Sequence, residues 1–189
     1  MRVTVSEYDP TWPTTFQQLK ADLLALLHPL PIVAIEHVGS TSVPGLAAKP
    51  IIDIDIVVEP AYIIQAFSAL SRKGYTYSPE NWGDRASFRW NGHTHDQGAS
   101  RPTEDGLPRR MVYLNLPEGK ELKKHLVLKR VLLQDDALRD EYAGVKRELA
   151  EKEHEHIGAY GSEKGNIIGR IYAKGEEMGE TGSVYDKAA

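Results

Sequence analysis

The feature that most restricts the fold of this sequence is the run Ile51–Val58, which reads Ile-Ile-Asp-Ile-Asp-Ile-Val-Val. β-Branched residues of this kind favour a strand. Because successive side chains of a strand point to opposite faces, Asp53 and Asp55 share one face and the isoleucines share the other. The hydrophobic residues on both sides indicate a strand inside a core sheet, where two carboxylates need a nearby cation or hydrogen-bond donors. Mg²⁺ meets that need; the alternative is a pair of acids at a sheet edge, facing water or paired with Lys and Arg.

The composition sets the scale of the fold and excludes several kinds of site. A chain of 189 residues forms one domain with a substantial core, and its hydrophobic and charged fractions of 41% and 26% are those of a globular protein. The formal net charge of −4 argues against non-specific binding of duplex nucleic acid. The absence of cysteine excludes disulfides, thiolate zinc sites and a cysteine nucleophile.

The sequence shows no sign of a membrane segment. The N-terminal residues lead into polar sequence rather than a signal core, and no apolar run approaches the roughly 20 residues that cross a bilayer. We therefore expect a cytoplasmic protein with no membrane partner. Its oligomeric state is not predicted.

Hydrophobic periodicity and turn residues predict the other elements. They indicate one α+β domain of residues 1–174, followed by a flexible tail of residues 175–189. Residues 91–108 are expected to form a long loop, in which His93, His95 and Asp96 are better explained as solvent-exposed than as a metal cluster. Strands are expected over residues 3–5, 32–38, 86–90 and 111–116, and helices over residues 13–27, 60–74, 119–133, 137–152 and 157–174.

A Gly-Ser turn separates the strand of residues 32–38 from the aspartate strand. Glycine lets the backbone approach a ligand closely, and the exposed N–H groups and hydroxyls of such a turn suit phosphate oxygens. The alternative is an ordinary helix cap, for which Ser and Thr are preferred residues. Lys49, at the entry to the aspartate strand, could neutralise a phosphate chain or be a solvated lysine. The residues of the turn are Gly39, Ser40, Thr41 and Ser42.

The segment of residues 37–55, His-Val-Gly-Ser-Thr-Ser-Val-Pro-Gly-Leu-Ala-Ala-Lys-Pro-Ile-Ile-Asp-Ile-Asp, resembles the signature of the GrpB family, which is placed in the nucleotidyltransferase superfamily. The opening Tyr-Asp-Pro-Thr-Trp-Pro of residues 8–13 is also similar to that family. So are His125-Leu126 in the first late helix and Tyr142 with Lys146 in the second. The resemblance runs from about residue 3 to about residue 171.

The resemblance implies a nucleotidyltransferase-like mixed β-sheet flanked by helices, with a helical C-terminal third. It implies that Asp53 and Asp55 are catalytic and hold Mg²⁺ on a nucleoside triphosphate. The Gly-Ser turn and Lys49 would bind the phosphates, and His37 would position the substrate. Active nucleotidyltransferases carry a third carboxylate on a later strand, whereas residues 111–116 contain none; Asn115 is the candidate replacement there.

Three functions are therefore compatible with the sequence. The first is a Mg²⁺-dependent nucleotidyltransferase that transfers a nucleotidyl group to an unidentified acceptor. The second is a catalytically inactive nucleotide-binding or accessory, protein-interaction module of the same fold, which the missing third acid favours. The third is a purely structural protein–protein module. Residues left open between a phosphate contact or cleft wall and an ordinary polar surface are Arg85, Arg89, Arg109, Arg110, His125, Lys129, Arg130, Lys146 and Lys164.

Overall fold

The centre of the fold is a five-stranded mixed sheet with the strand order β1-β2-β5-β4-β3. It is seen in a computed structural model that describes residues 2–79, 84–90, 103, 105–155 and 157–184. Strands β2 and β5 pair in parallel, and the other neighbouring pairs are antiparallel. The strands are β1 (Ile32–Val38), β2 (Ile51–Val58), β3 (Tyr75–Ser78), β4 (Arg85–Trp90) and β5 (Arg109–Asn115).

Helices cover the sheet and form the C-terminal third of the chain, which confirms the predicted α+β architecture. Short 3₁₀ turns occupy Ser40–Ser42 and Pro60–Tyr62. In the described part of the chain, no helix is long and apolar enough to cross a membrane. The helices are α1 (Trp12–Leu27), α2 (Ile63–Lys73), α3 (Lys120–Gln134), α4 (Asp136–Ala150), α5 (Ile157–Glu163) and α6 (Gly165–Glu177).

The two faces of the sheet bury different layers. On one face, the isoleucines of β2 pack against α1 and α2, and this layer contains most of the large buried side chains. On the other face, Val38 and Val57 contact Leu122 and Leu126 of α3. A further cluster joins the segment after the Gly-Ser turn to α3, α4 and α6. The late helices are thereby held beside the turn and the aspartate face of β2.

Two of the expected elements differ in the structure. Residues 3–5 form no strand: the chain makes one isolated bridge, in which Ser6 and Ala48 exchange backbone hydrogen bonds of 2.9 Å. The expected helix of residues 157–174 is two helices that meet at Lys164. Gly165 starts the second helix, and glycine carries a high conformational cost within a continuous helix. This break matters because Lys164 belongs to the site described below.

The expected boundary between domain and tail, at residue 175, lies inside α6. Gly175 is buried against Val127 of α3. Beyond the helix, Arg130 donates a hydrogen bond of 2.8 Å to the backbone oxygen of Ser183 and forms an ion pair with Glu180. The residues His93, His95 and Asp96 lie outside the described part of the chain.

Candidate functional site

Strand register places Asp53 and Asp55 on the same face of the sheet, as strand alternation predicts. Asp53 is paired with Met111 of the parallel strand β5, and Asp55 with Tyr113. Their surroundings differ, however. Asp53 is half-buried and lines a pocket, whereas Asp55 is completely buried beneath α3. Of the two acids, Asp53 is therefore the one that borders open space.

The Gly-Ser turn lies directly against Asp53. Gly39 has a φ of 68° and a ψ of −172°, a conformation open essentially to glycine alone. A Cβ at this position would collide with Asp53 Oδ2 and lie 3.1 Å from the Asp53 Cβ. The hydroxyl of Ser42 donates a hydrogen bond of 2.7 Å to the Gly39 carbonyl and stabilises the turn. The turn can therefore approach Asp53 this closely only because residue 39 is a glycine.

Three lysines converge on the pocket beside Asp53. The pocket has a volume of about 250 Å³. Lys49 comes from the segment before β2, Lys146 from α4, and Lys164 from the junction of α5 and α6. We call this site the lysine pocket; its lining includes Ser40, Lys49, Asp53, Lys146, Tyr160 and Lys164.

The amines of these lysines lie against aromatic rings. Lys146 Nζ is 4.3 Å from the centroid of the Tyr142 ring. Lys164 Nζ and Lys49 Nζ are 4.5 and 5.3 Å from the centroid of the Tyr160 ring. Lys146 is only 2% exposed, and its Nζ has no hydrogen-bond partner. Cation–π contacts recover only part of the hydration that a buried ammonium loses.

Burial lowers the pKa of all three amines. The pKa of Lys146 falls to about 6, because of burial first and the neighbouring charges of Lys164 and Arg147 second. Burial lowers the pKa of Lys164 to about 8, although the carboxylate of Asp53 acts in the opposite direction. The pKa of Lys49 is also lowered by burial. A bound anion would restore the charged form of each amine, since an opposite charge favours ionisation.

Asp53 is held at the pocket by Tyr113. The Tyr113 hydroxyl donates a hydrogen bond of 3.1 Å to Asp53 Oδ1. Burial raises the pKa of Asp53, while this hydrogen bond and the charge of Lys49 lower it. Burial also raises the pKa of Tyr113 well above its ordinary value, so the phenol remains a donor.

Both oxygens of Asp55 are occupied by protein donors. Asn115 Nδ2 donates to Oδ1 over 3.0 Å, and His125 Nδ1 lies 2.9 Å from Oδ2. On the other side of the imidazole, Arg85 Nη1 is 2.8 Å from His125 Nε2. A guanidinium can only donate, so Nε2 accepts and Nδ1 carries the proton that is donated to Asp55. Arg85 also lies over the Tyr113 ring, 4.2 Å from its centroid.

This donor set does not fit the Mg²⁺ ion expected at Asp53 and Asp55. Mg²⁺ requires carboxylate oxygens that are open to it, whereas Asp55 is completely buried and each of its oxygens already accepts a hydrogen bond. Asn115 acts towards Asp55 as a donor rather than as a ligand, and its Oδ1 is buried without a hydrogen-bond partner. Among the described residues, no group of three acidic or histidine side chains is placed to hold a metal ion.

His37 and Thr41, both expected at the phosphates, have structural contacts, although Thr41 also lines the pocket. His37 is paired with Ile54, so its side chain lies on the opposite face from Asp53 and Asp55. It stacks on Phe16 with 4.8 Å between the ring centroids, and burial lowers its pKa to about 4. Thr41 donates to the Ile51 carbonyl over 3.1 Å, so His37 Nε2 must donate to the Thr41 hydroxyl, 3.0 Å away. Of the four turn residues, Ser40 and Thr41 line the pocket, and Gly39 lies against Asp53.

We expect replacement of His37 by leucine to lower the stability of the folded protein. Loss of the buried hydrogen bond to Thr41 and of the Phe16 stacking should reduce the free energy of unfolding by about 2 kcal/mol. Urea denaturation measures the stability, and an unchanged free energy of unfolding would contradict this structural role.

The other residues that the sequence left open fall into two groups, those near the pocket and those with contacts elsewhere. Lys129 contacts Glu36, and Arg130 contacts Glu180, both away from the pocket. Arg89 donates to the Ser78 hydroxyl, and Arg110 lies over the Trp90 ring on the opposite face of the sheet. Arg109 is largely buried. Of this set, His125, Arg85, Lys146 and Lys164 belong to the site or its supporting network, and Arg109 is close enough for its charge, after burial, to help lower the pKa of Lys49.

Tyr160 and Tyr113 were missed as site residues. A sequence signal for Tyr160 does exist, because Tyr and Lys are four residues apart twice: Tyr142 with Lys146, and Tyr160 with Lys164. Residues at this spacing lie on one face of a helix. The repeated pair therefore indicates two helices that present the same combination of ring and amine.

Comparisons with known proteins show the family to which the chain belongs. The family model described as GrpB protein matches residues 2–174. The UPF0157 protein BH1888 of Halalkalibacterium halodurans is 32% identical over 181 residues, covering 89% of this chain and 80% of that protein. The crystal structure of conserved protein GrpB from Enterococcus faecalis is 28% identical and has a TM-score of 0.73, covering 93% of this chain and 98% of that one. Cid1 poly(U) polymerase aligns more weakly, with a TM-score of 0.42, 14% identity, and coverage of 76% of this chain and 45% of that one. On the family match and the relatives together, the chain belongs to the GrpB family.

Proposed function

We propose that this protein binds the phosphate chain of a nucleoside triphosphate in the lysine pocket. The observation that carries the proposal is the convergence of Lys49, Lys146 and Lys164 on one pocket of about 250 Å³. These lysines come from three separate parts of the chain. Their meeting concentrates amines whose charged form an anion would favour, in a protein whose net charge is negative.

The burial of Lys146 argues for an anionic ligand rather than for a purely structural role. A buried amine without a hydrogen-bond partner costs free energy in the unliganded protein. A phosphate oxygen would supply the missing acceptor as well as the opposite charge. Ser40 adds a hydroxyl to the same lining, near the Tyr142 phenol.

The nucleoside part of the proposal rests on the resemblance of residues 37–55 to the nucleotidyltransferase superfamily. Nucleotidyl transfer is the second candidate function, and Asp53 favours it because its carboxylate lies beside the same pocket. Both oxygens of Asp55 accept hydrogen bonds from the protein, and β5 carries no acid; these two features favour binding without transfer. Release of pyrophosphate from a nucleoside triphosphate in the presence of an acceptor would support transfer.

The lysine pocket can be tested by replacing Lys164 with methionine. We expect this variant to bind ATP and tripolyphosphate about tenfold more weakly than the wild type, because one charge-assisted contact to phosphate is lost, worth about 1.4 kcal/mol. Isothermal titration calorimetry with ATP, CTP, GTP, UTP and tripolyphosphate measures the affinities. Comparison among the five ligands shows whether the base contributes.

The matched control is Lys174→Met. Lys174 lies on the exposed part of α6 and pairs with Glu177 three residues later. Its replacement changes the net charge by the same amount and should leave the affinity within about twofold, since an exposed pair contributes little. Equal losses in both variants would show that only the general charge of the protein matters. No binding by the wild type would contradict the proposed function and favour the structural protein–protein module.

A further inference from the structure

The proposed function leaves open the form in which a phosphate chain enters the lysine pocket. Nucleotides in solution occur both as free anions and as complexes with Mg²⁺. Resemblance to nucleotidyltransferases predicts the Mg²⁺ complex, with the metal bridging Asp53, Asp55 and the phosphates. The contacts of Asp55 and the lack of acidic residues on β5 argue instead for the free anion.

The carboxylate of Asp55 is held by a chain of hydrogen-bond donors. Asn115 and His125 occupy its two oxygens, and Arg85 holds His125 from the far side. Asp55 itself is 0% exposed. A metal ion that reached this buried carboxylate by moving one of these donors would leave that donor without an acceptor inside the protein, which costs free energy. The buried charge of Asp55 is thus already stabilised by hydrogen bonds from side chains of the same protein.

The parallel strand β5 supplies no further acid to this face. Met111, Tyr113 and Asn115 lie in register with Asp53, Asp55 and Val57 on the parallel strand β2. None of the three carries a carboxylate, and Tyr113 and Asn115 act as hydrogen-bond donors towards the aspartates. Glu36 of β1, which pairs with Asp55, also lies on this face but contacts Lys129, so among the described residues Asp53 is the one acid that lines the lysine pocket. One carboxylate is a weak anchor for Mg²⁺, which keeps several water ligands.

The lysines supply the positive charge that a metal would otherwise bring. Lys49, Lys146 and Lys164 surround the same space, and the Lys146 amine has no acceptor. Mg²⁺ and lysine amines compete for the same phosphate oxygens. A chain that has already been partly neutralised by Mg²⁺ offers less charge to the lysines and brings a hydrated cation towards them.

From this arrangement we infer that the lysine pocket binds a phosphate chain as the free anion and that Mg²⁺ opposes binding. The inference rests on the proposed function and specifies its ligand. It predicts an effect of Mg²⁺ that is opposite in sign to the effect expected of a nucleotidyltransferase metal site.

The test is a calorimetric titration of the wild-type protein with ATP and with tripolyphosphate, first in EDTA and then in excess Mg²⁺ at the same ionic strength. We expect excess Mg²⁺ to weaken the binding of both ligands about tenfold, through lost charge and competition at the phosphate oxygens. Tripolyphosphate has no base or sugar, so an equal effect on both ligands places the effect at the phosphates. Because the ionic strength is the same in both conditions, general charge screening does not differ between them.

A second measurement uses Mg²⁺ alone. We expect Mg²⁺ without ligand to leave the melting temperature of the wild-type protein unchanged, because a cation that binds only the folded state would raise it. A rise in melting temperature that is absent in Asp53→Asn would reveal a metal site at Asp53 and overturn the inference. Tighter binding of ATP in Mg²⁺ than in EDTA would overturn it as well, while leaving the proposed function intact. No binding in either condition would contradict both.

Discussion

Replacement of Gly39 by alanine is expected to lower the free energy of unfolding by about 3 kcal/mol or more. The φ of 68° and ψ of −172° at Gly39 are strained for any residue with a Cβ. The added methyl group would also collide with the carboxylate of Asp53. Relief of this collision requires a shift of Asp53, which Tyr113 holds by a hydrogen bond, so the lysine pocket should change shape too. Urea denaturation measures the loss of stability.

Gly45→Ala separates the collision from the backbone strain. Gly45 also has a positive φ, 78°, but its added Cβ would approach only the Arg139 side chain, at 3.8 Å. We expect a smaller loss, about 1–2 kcal/mol, as is usual for one non-glycine residue in a left-handed conformation. Equal losses in the two variants would show that contact with Asp53 adds no cost at Gly39.

Replacement of Lys146 by methionine is expected to raise stability and to abolish phosphate binding. Methionine keeps much of the volume of the side chain and its contact with Tyr142, but it removes a buried amine that has no acceptor. Removal of such a group should increase the free energy of unfolding at pH 7 by more than about 1 kcal/mol. A residue that lowers stability in the free protein and is needed for the ligand is typical of a binding site.

The pH dependence of this gain follows from the lowered pKa. Lys146 has a pKa of about 6 in the folded protein, against an ordinary value of 10.5. Between these values the unfolded chain holds a proton that the folded protein lacks, so the wild type gains stability as the pH rises through this range. The advantage of Lys146→Met should therefore be largest below pH 6 and decrease towards about pH 10.

Urea denaturation between pH 5 and pH 9 tests this behaviour, with calorimetry for the loss of tripolyphosphate binding. Lys174→Met is again the control, because its amine is exposed and its replacement should be nearly neutral at every pH. A Lys146→Met variant that is less stable than the wild type would show that the amine is compensated in the free protein. That result would remove the physical reason for an anionic ligand at Lys146.

Local sequence determined the strands that form the floor of the site. The runs at Ile32–Val38 and Ile51–Val58 form β1 and β2 with the expected ends, because β-branched residues and flanking turn residues act within a few positions of the chain. The shared face of Asp53 and Asp55 follows from strand alternation alone. Helix periodicity likewise predicted α1, α2, α3 and α4 to within a few residues, since each has an apolar stripe that packs on the rest of the protein.

The side of the sheet on which each residue lies depended on strand pairing. Alternation shows that His37 and Val38 point to opposite faces, but it does not show which of them shares a face with Asp53. Pairing of Val38 with Asp53 settles that question and directs His37 towards Phe16. The environment of Asp55 likewise depended on tertiary structure, because its two hydrogen-bond donors are both 60 or more residues away in the sequence.

The lysine pocket was decided by tertiary packing alone. Lys146 and Lys164 have the spacing from Tyr142 and Tyr160 that sequence reveals, yet an amphipathic helix with such residues is equally compatible with a solvated polar face. Their position beside Asp53 results from burial of apolar residues of α4 and α6 against α3 and the segment after the Gly-Ser turn. Hydrophobic packing between distant segments is non-directional, so the sequence of each helix defines what it buries but not which charged groups are thereby brought together.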